Sequence, residues 1–387
     1  MHDESAFPKS LPPAEAVLKF LASVGPGSEA ELYLRLFRSR PAERFAVLVV
    51  EHDTIEQHGE QVAVDVRFLG ELGLFPTLAL GLDGGDARAG ERLFATLTRA
   101  GVACEHVRDR TRHEVDPFAA ISAATARGVV PLWTIPGATR HERLKTLGNT
   151  LAQLNSDKLV FLRPEGGIWL RGSRLSVVNM QVDFDGLVLE PSLDGSTRSL
   201  LADVQRLLLE LVPHRLLVAL TSPLDLLHEL FTVKGAGTLL RKGAIIERHA
   251  GYDGIEVPRL TLLLESSFGK PLSSSFLKRP ITHAYVEDQY RGAALITQTE
   301  LGGYLSKFAV TREAQGEGIG HDLWTALTAD YAALFWRARS ENPIRTWYER
   351  QCQGRYQAGN WTVYFRGLKP AALPLAIERA LAEPLDF

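Results

Sequence analysis

Between Gln315 and Gly320 the sequence reads QGEGIG, a glycine-rich run placed just before a helical repeat. Ile319, Leu323, Leu327 and Tyr331 recur at helical spacing, so a helix is expected to open inside the run. Glycine lets backbone N–H groups turn toward one point, and a helix start adds donors that have no intrahelical acceptor. The chemistry that follows is capture of a pyrophosphate. A P-loop would carry Gly-Lys-Ser/Thr, and no lysine follows these glycines. A dinucleotide fingerprint opens a domain of alternating strands and helices, whereas this run follows short strands interleaved with Gly and Ser. The eleven histidines show no HExxH or similar spacing, and Cys104 and Cys352 form no CxxC pair. Neither a metal nor a disulfide framework is expected.

The elements that must position this loop fall into two regions. At 387 residues, with 45% hydrophobic and 23% charged, the chain has the balance of a folded globular protein of about two domains. A net charge of -3 leaves no basic field for nucleic acid. The opening "MHDESAFPKS" is acidic and no apolar run reaches the roughly 20 residues of a membrane span, so a cytoplasmic protein is expected. The strands "FAVLVV", "PTLALG", "VVPLWTI", "KLVFL" and "RLLVAL" alternate with helical patterning. Unbroken apolar strands of this kind predict a mostly parallel sheet covered on both faces, an α/β/α sandwich. From about His249 the pattern becomes α+β, with strand candidates "LTLLLE", "ITHAYVE", "AALIT", "YLSKFAV", "ALFWRAR" and "WTVYFRGL". The domains are read as a helical extension at 1–40, the sandwich at 41–248 and the α+β part at 249–387. Within the extension, Ser28 and Glu31 have capping-box spacing.

Gln315, Gly318 and Gly320 stand at the fixed positions of the Q/R-x-x-G-x-G/A motif, and the segment resembles the GNAT acetyltransferases. The blocks "YLSKFAV", "QGEGIG", "LFWRARSENPIRTWY" and "GNWTVYFRGL" resemble the acetyltransferase domain of vertebrate-type N-acetylglutamate synthases and bifunctional synthase/kinases. The upstream stretches "LESSFGK" and "AYVEDQYRGAALIT" extend that likeness. The resemblance implies acetyl-coenzyme A as co-substrate, held by Gln315, Gly316, Glu317, Gly318, Ile319 and Gly320. It also implies carbonyl polarisation by backbone N–H groups at Phe308, Ala309 and Val310. On the acceptor side it implies Lys307, Arg337, Asn342 and Tyr348, with Ser306 standing where an acidic residue is common. Arg337 and Arg339 lie two apart on a strand and so share a face, and guanidinium forks suit the two carboxylates of glutamate. Lys307, Asn342 and Tyr348 are the catalytic candidates. The proton-accepting base is left open among Tyr348, Glu300 through water, and solvent.

The first domain resembles the amino-acid kinases, N-acetylglutamate kinase in particular, over about Ala14 to Gly243. Where a family kinase carries K-x-G-G, this chain has Val49-Val50-Glu51-His52. Its second glycine loop reads Leu80-Gly81-Leu82-Asp83-Gly84, and a later catalytic lysine falls on Ser199. Without those cations a transferring phosphoryl group has no counter-charge, so a regulatory pseudokinase is expected. "FTVKGAGTLLRKG" resembles the arginine-effector segment of the family, which would place an arginine at Gly235, Gly237 and Thr238. The resemblance further implies a homo-oligomer, dimer or tetramer. Two other readings of the whole chain stand beside this one: transfer to another amino acid, and a silent arginine-sensing partner.

Overall fold

A computed structural model describes residues 27–84, 87–107, 116–232, 235–273 and 275–384. The chain divides into two compact units, Met1–Gly243 and Ala244–Phe387.

The first unit is built on β1 (Val47–Val50), β2 (Thr77–Leu80), β3 (Cys104–Val107), β4 (Val130–Thr134) and β5 (Lys158–Leu162). It continues with a small hairpin of β6 (Trp169–Leu170) and β7 (Ser173–Arg174), then β8 (Val177–Asn179), β9 (Leu217–Thr221) and β10 (Thr238–Arg241). Eight of these form one sheet in the order β3-β4-β2-β1-β5-β9-β10-β8. The β9–β10 pair is antiparallel and the others are parallel. β1 shows why its sequence lacks polar alternation. Leu48 and Val50 enter the core on one face while Val47 and Val49 enter the core on the other. The helices end on local signals: Thr139 and Glu142 form a reciprocal capping box for Arg140–Leu154, and left-handed Asn155 stops it. Much of the expected N-terminal extension, residues 1–26 including the stretch from Ala14, lies outside the described residues, as do the Ser28 and Glu31 cap contacts. The helix Gly27–Arg38 is described, and Ala30, Leu34 and Phe37 join it to the first core.

The second unit holds β11 (Ile246–Ala250), β12 (His283–Glu287), β13 (Gly292–Thr299), β14 (Gly302–Val310), β15 (Leu334–Arg339), β16 (Gly354–Ala358) and β17 (Trp361–Arg366). They form one sheet in the order β11-β12-β13-β14-β15-β17-β16. One expectation is corrected here. "LTLLLE" is no strand but part of the helix Val257–Phe268, with Pro258 in its first turn and Gly269 as its left-handed stop. Leu260, Leu263 and Leu264 are buried while Leu262 is exposed, which is helical and not two-fold spacing.

Candidate active site

The site is organised by a strand pair that parts. β14 is held by β13 along its whole length, from Gly302–Thr299 to Val310–Gly292. Its parallel pairing with β15 covers Gly303–Leu334 and Tyr304–Phe335 alone, although β15 runs on to Arg339. Beyond Tyr304 the two strands diverge. A bulge between Leu295 and Ile296 skips Ser306, whose hydroxyl donates to Leu295 O at 3.1 Å, and this bends β14 where the divergence begins. Backbone N–H groups in the second half of β14 that face the parted side have no ladder partner from β15.

The glycine run lies at the end of β14. Gly316 and Gly318 have φ of 88° and 82°, the left-handed region that favours glycine, and Gly318 directly precedes the helix Ile319–Asp330. The first-turn N–H groups of that helix, at Ile319 and Gly320, have no intrahelical acceptor. A Cβ on Gly320 would meet Phe308 and Val310 at 3.7 Å, so this glycine turns toward β14 and tolerates a small side chain. The geometry fits a pyrophosphate at a helix start.

The acceptor candidates divide between the faces of the sheet. Lys307 pairs with Leu295, and Leu295 packs with the helix Val257–Phe268, so Lys307 lies on that helix's side. Arg337 is two residues from Phe335, which packs with the C-terminal helix Leu373–Ala382 on the same side. Lys307 Nζ donates to Ser306 O at 3.2 Å and sits 4.8 Å from the Phe276 ring. Burial, with Arg279 and Arg337 nearby, lowers this ammonium from the ordinary lysine range to about 7. Arg337 donates to Leu381 O at 3.1 Å and Pro384 O at 2.9 Å, so it ties down the end of the C-terminal helix. Arg337 and Arg339 both lie over Trp361, at 4.3 and 4.2 Å from its ring centroid.

On the opposite face Tyr348 is buried among Trp336, Trp347 and Tyr364. Burial holds its phenol above the usual tyrosine range, which keeps it protonated. Asn342 accepts from Ile344 N–H at 3.0 Å, shaping the turn into the helix Arg345–Gln351. Glu300 sits exposed in the β13–β14 turn, at the far end of β14 from the glycine run. Phe276, Arg279 and Trp361 complete the cationic side and went unread in the sequence. Trp361 had a signal in its strand register opposite Arg339, whereas Arg279 lies in a loop without one.

In the first unit the kinase-like positions carry other contacts. Glu51, at the end of β1, accepts from Leu82 N–H at 3.0 Å, and burial raises its carboxyl above the usual range. Arg143 donates to Leu82 O at 2.8 Å, while Arg140 pairs with Asp83 and with Asp203. Ser199 bonds back to Gly195 O within its helix. In the effector segment, of which residues 233–234 are outside the described set, Glu229 accepts from Ala236 and Gly237 N–H groups at 2.9 and 3.0 Å. Lys158 pairs with the same carboxylate at 3.2 Å. The Thr238 hydroxyl donates to Leu175 O and accepts from Ile168 N–H, and Gly235 lies directly against Glu229. These three residues are therefore engaged in internal contacts.

A parted β14–β15 pair with a glycine turn and a helix start at its mouth agrees with the N-acetyltransferase class that the sequence resembles. Residues 247–375 match the family described as N-acetyltransferase of N-acetylglutamate synthase. The mitochondrial N-acetylglutamate synthase of Mus musculus is 31% identical, over 84% of this chain and 70% of that protein. The acetylglutamate kinase of Xanthomonas campestris pv. campestris is 29% identical, over 88% of this chain and 94% of that protein. A solved structure of N-acetylglutamate synthase from Neisseria gonorrhoeae, complexed with coenzyme A and N-acetyl-glutamate, has a TM-score of 0.50. It covers 88% of this chain and 98% of that one at 18% identity, which shows a shared fold. The chain belongs to the N-acetylglutamate synthase family. Among the described residues no helix is long and apolar enough to cross a membrane.

Proposed function

We propose that the protein transfers the acetyl group of acetyl-coenzyme A to the amine of L-glutamate, and that its first unit has given up phosphoryl transfer for regulation. The observation that carries the transferase reading is the parted strand pair. It has anion-binding backbone at its mouth, cations on one face and a protonated phenol on the other. Lys307, Arg337 and Arg339 supply charge for two carboxylates, and Asn342 shapes the adjoining turn. The neutral amine attacks the thioester carbonyl, forming the C–N bond as the C–S bond breaks. The N–H groups of Phe308 and Val310, which alternate with the β13-facing N–H of Ala309, receive the developing negative charge on oxygen. One proton of the glutamate ammonium is lost to solvent before attack; the leaving thiolate takes the Tyr348 proton, and the proton shed by the nitrogen as the amide forms restores that phenol. Mass spectrometry of reactions with acetyl-coenzyme A tests this. N-acetylglutamate should form, with glutamate preferred over glutamine by at least about tenfold, because glutamine leaves one cation unpaired. Equal use of both would point to another amino-acid acceptor.

The pseudokinase reading rests on Glu51. Its carboxylate sits on the Leu82 N–H that an occupied glycine loop would offer a phosphate. For regulation, arginine at Gly235, Gly237 and Thr238 is the candidate, since a Neisseria gonorrhoeae synthase of the same fold is solved with L-arginine. The Glu229 carboxylate is the acidic group at that segment. Calorimetry with arginine, beside the acetylation rate, decides it: no heat and an unchanged rate leave the first unit a scaffold. Light scattering tests the proposed dimer or tetramer.

A further inference from the structure

We infer that Arg291, anchored by the buried Glu287, is a positioning residue for the pyrophosphate loop, which it holds in place while neutralising Glu317. This rests on reading Gln315–Gly320 as the coenzyme A loop.

An acidic residue is out of place in a loop built to hold a dianion. Glu317 stands between Gly316 and Gly318, and its charge opposes a pyrophosphate a few ångströms away. The β12–β13 turn supplies the answer. Arg291 Nη1 donates to Glu317 Oε2 at 3.2 Å, with the two side chains 27% and 16% exposed, so solvent screens this pair less than an open surface pair.

Arg291 is itself held on several sides. Its Nη2 donates to Glu287 Oε1, and Glu287 is wholly buried. The other Glu287 oxygen accepts from the N–H groups of Gln289 and Arg291, at 3.0 and 3.1 Å. The Arg291 carbonyl accepts from Thr311 N–H at 2.8 Å, immediately after β14 ends. One residue therefore grips the strand end through its backbone and the loop through its side chain. The next residue brings the turn against the loop's helix: a Cβ on Gly292 would lie 2.7 Å from Ile319 and 2.9 Å from Leu323. A guanidinium bridging a buried carboxylate and a loop carboxylate has little freedom, which sets the pitch of the loop before the ligand arrives.

The test is calorimetry with coenzyme A and with pantetheine, which lacks the pyrophosphate. Arg291→Met should weaken coenzyme A about five- to tenfold while pantetheine changes less than about twofold. That loss should shrink as salt rises from about 0.05 to 0.5 M, because salt screens the repulsion between Glu317 and the pyrophosphate. Glu317→Gln, which leaves the Glu287–Arg291 anchor whole, should tighten coenzyme A binding. The double variant should recover to within about threefold of the wild type. An equal loss for pantetheine, no recovery in the double variant, or weaker binding by Glu317→Gln would overturn the proposal. If the wild type itself binds coenzyme A no more tightly than pantetheine, the loop assignment falls, and this inference with it.

Discussion

Binding of N-acetylglutamate to this protein should take up a proton, and Lys307 is the group that receives it. In the ligand-free fold, burial and the nearby Arg279 and Arg337 hold its ammonium at about 7, against an ordinary 10.5. At pH 8 about one Lys307 in ten is therefore charged. A carboxylate arriving at about 4 Å contributes on the order of 4 kcal/mol at an effective dielectric near 20, or about three pKa units. The bound ammonium then titrates near 10, and binding at pH 8 draws in about 0.9 proton. At pH 6 the lysine is already charged and uptake falls to about 0.1. Titrations in phosphate, HEPES and Tris, whose ionisation enthalpies differ, read this number as the slope of observed heat against buffer enthalpy. Lys307→Arg keeps a permanent charge and should abolish the slope. Buffer-independent heats for the wild type at pH 8, or an equal slope in Lys307→Arg, would refute the assignment of Lys307 to the carboxylate site. The same shift acts on stability. Because the folded pKa lies below the unfolded one, the unfolded chain binds more protons between about 7 and 10.5, and the ligand-free protein gains stability as pH rises through that window.

Other outcomes follow from single positions. Gly318→Val should raise the KM for acetyl-coenzyme A about tenfold or more and that for glutamate far less, because φ of 82° excludes a branched side chain. Gly320→Ala, whose Cβ meets only ordinary contacts at 3.7 Å, should stay within about twofold of the wild type in steady-state kinetics; equal damage by both would count against the loop. Asp65 is buried with Gln61 as its hydrogen-bond donor, and burial lifts its carboxyl from 3.8 to about 7. The folded state thus binds the extra proton, so stability falls between about pH 4 and 7 by up to about 4 kcal/mol. Urea melts of Asp65→Asn should lack that decline, and a parallel pH dependence in both proteins would clear Asp65. With ATP, magnesium and N-acetylglutamate the protein should form no acylphosphate, and acetylglutamate-dependent ADP release would restore a working kinase.

What could be read from residue order was whatever is encoded locally. Unbroken apolar strands such as Val47–Val50 announced a sheet buried on both faces, because both sets of alternate side chains need a core. The QGEGIG run announced a glycine turn into a helix start, because left-handed glycines and a helix start act within a few residues of chain. The same locality misled at Leu260–Glu265, where an apolar run suits a strand or a buried helix and only packing on one face decides. The state of each charge was beyond the sequence altogether. Lys307 could be named as a cation, but its depressed ammonium depends on burial and on Arg279, which is 28 positions away in sequence. Tyr348 could be named as a catalytic candidate, but its burial beside Trp336 and Tyr364, which raises its phenol above the usual range, depends on the fold. Arg291 reaches Glu317 across 26 residues, and Glu51 reaches Leu82 across 31, through contacts that no spacing rule foretells. Desolvation and Coulomb terms depend on distances in space, so ionisation and positioning were decided only when the chain was folded.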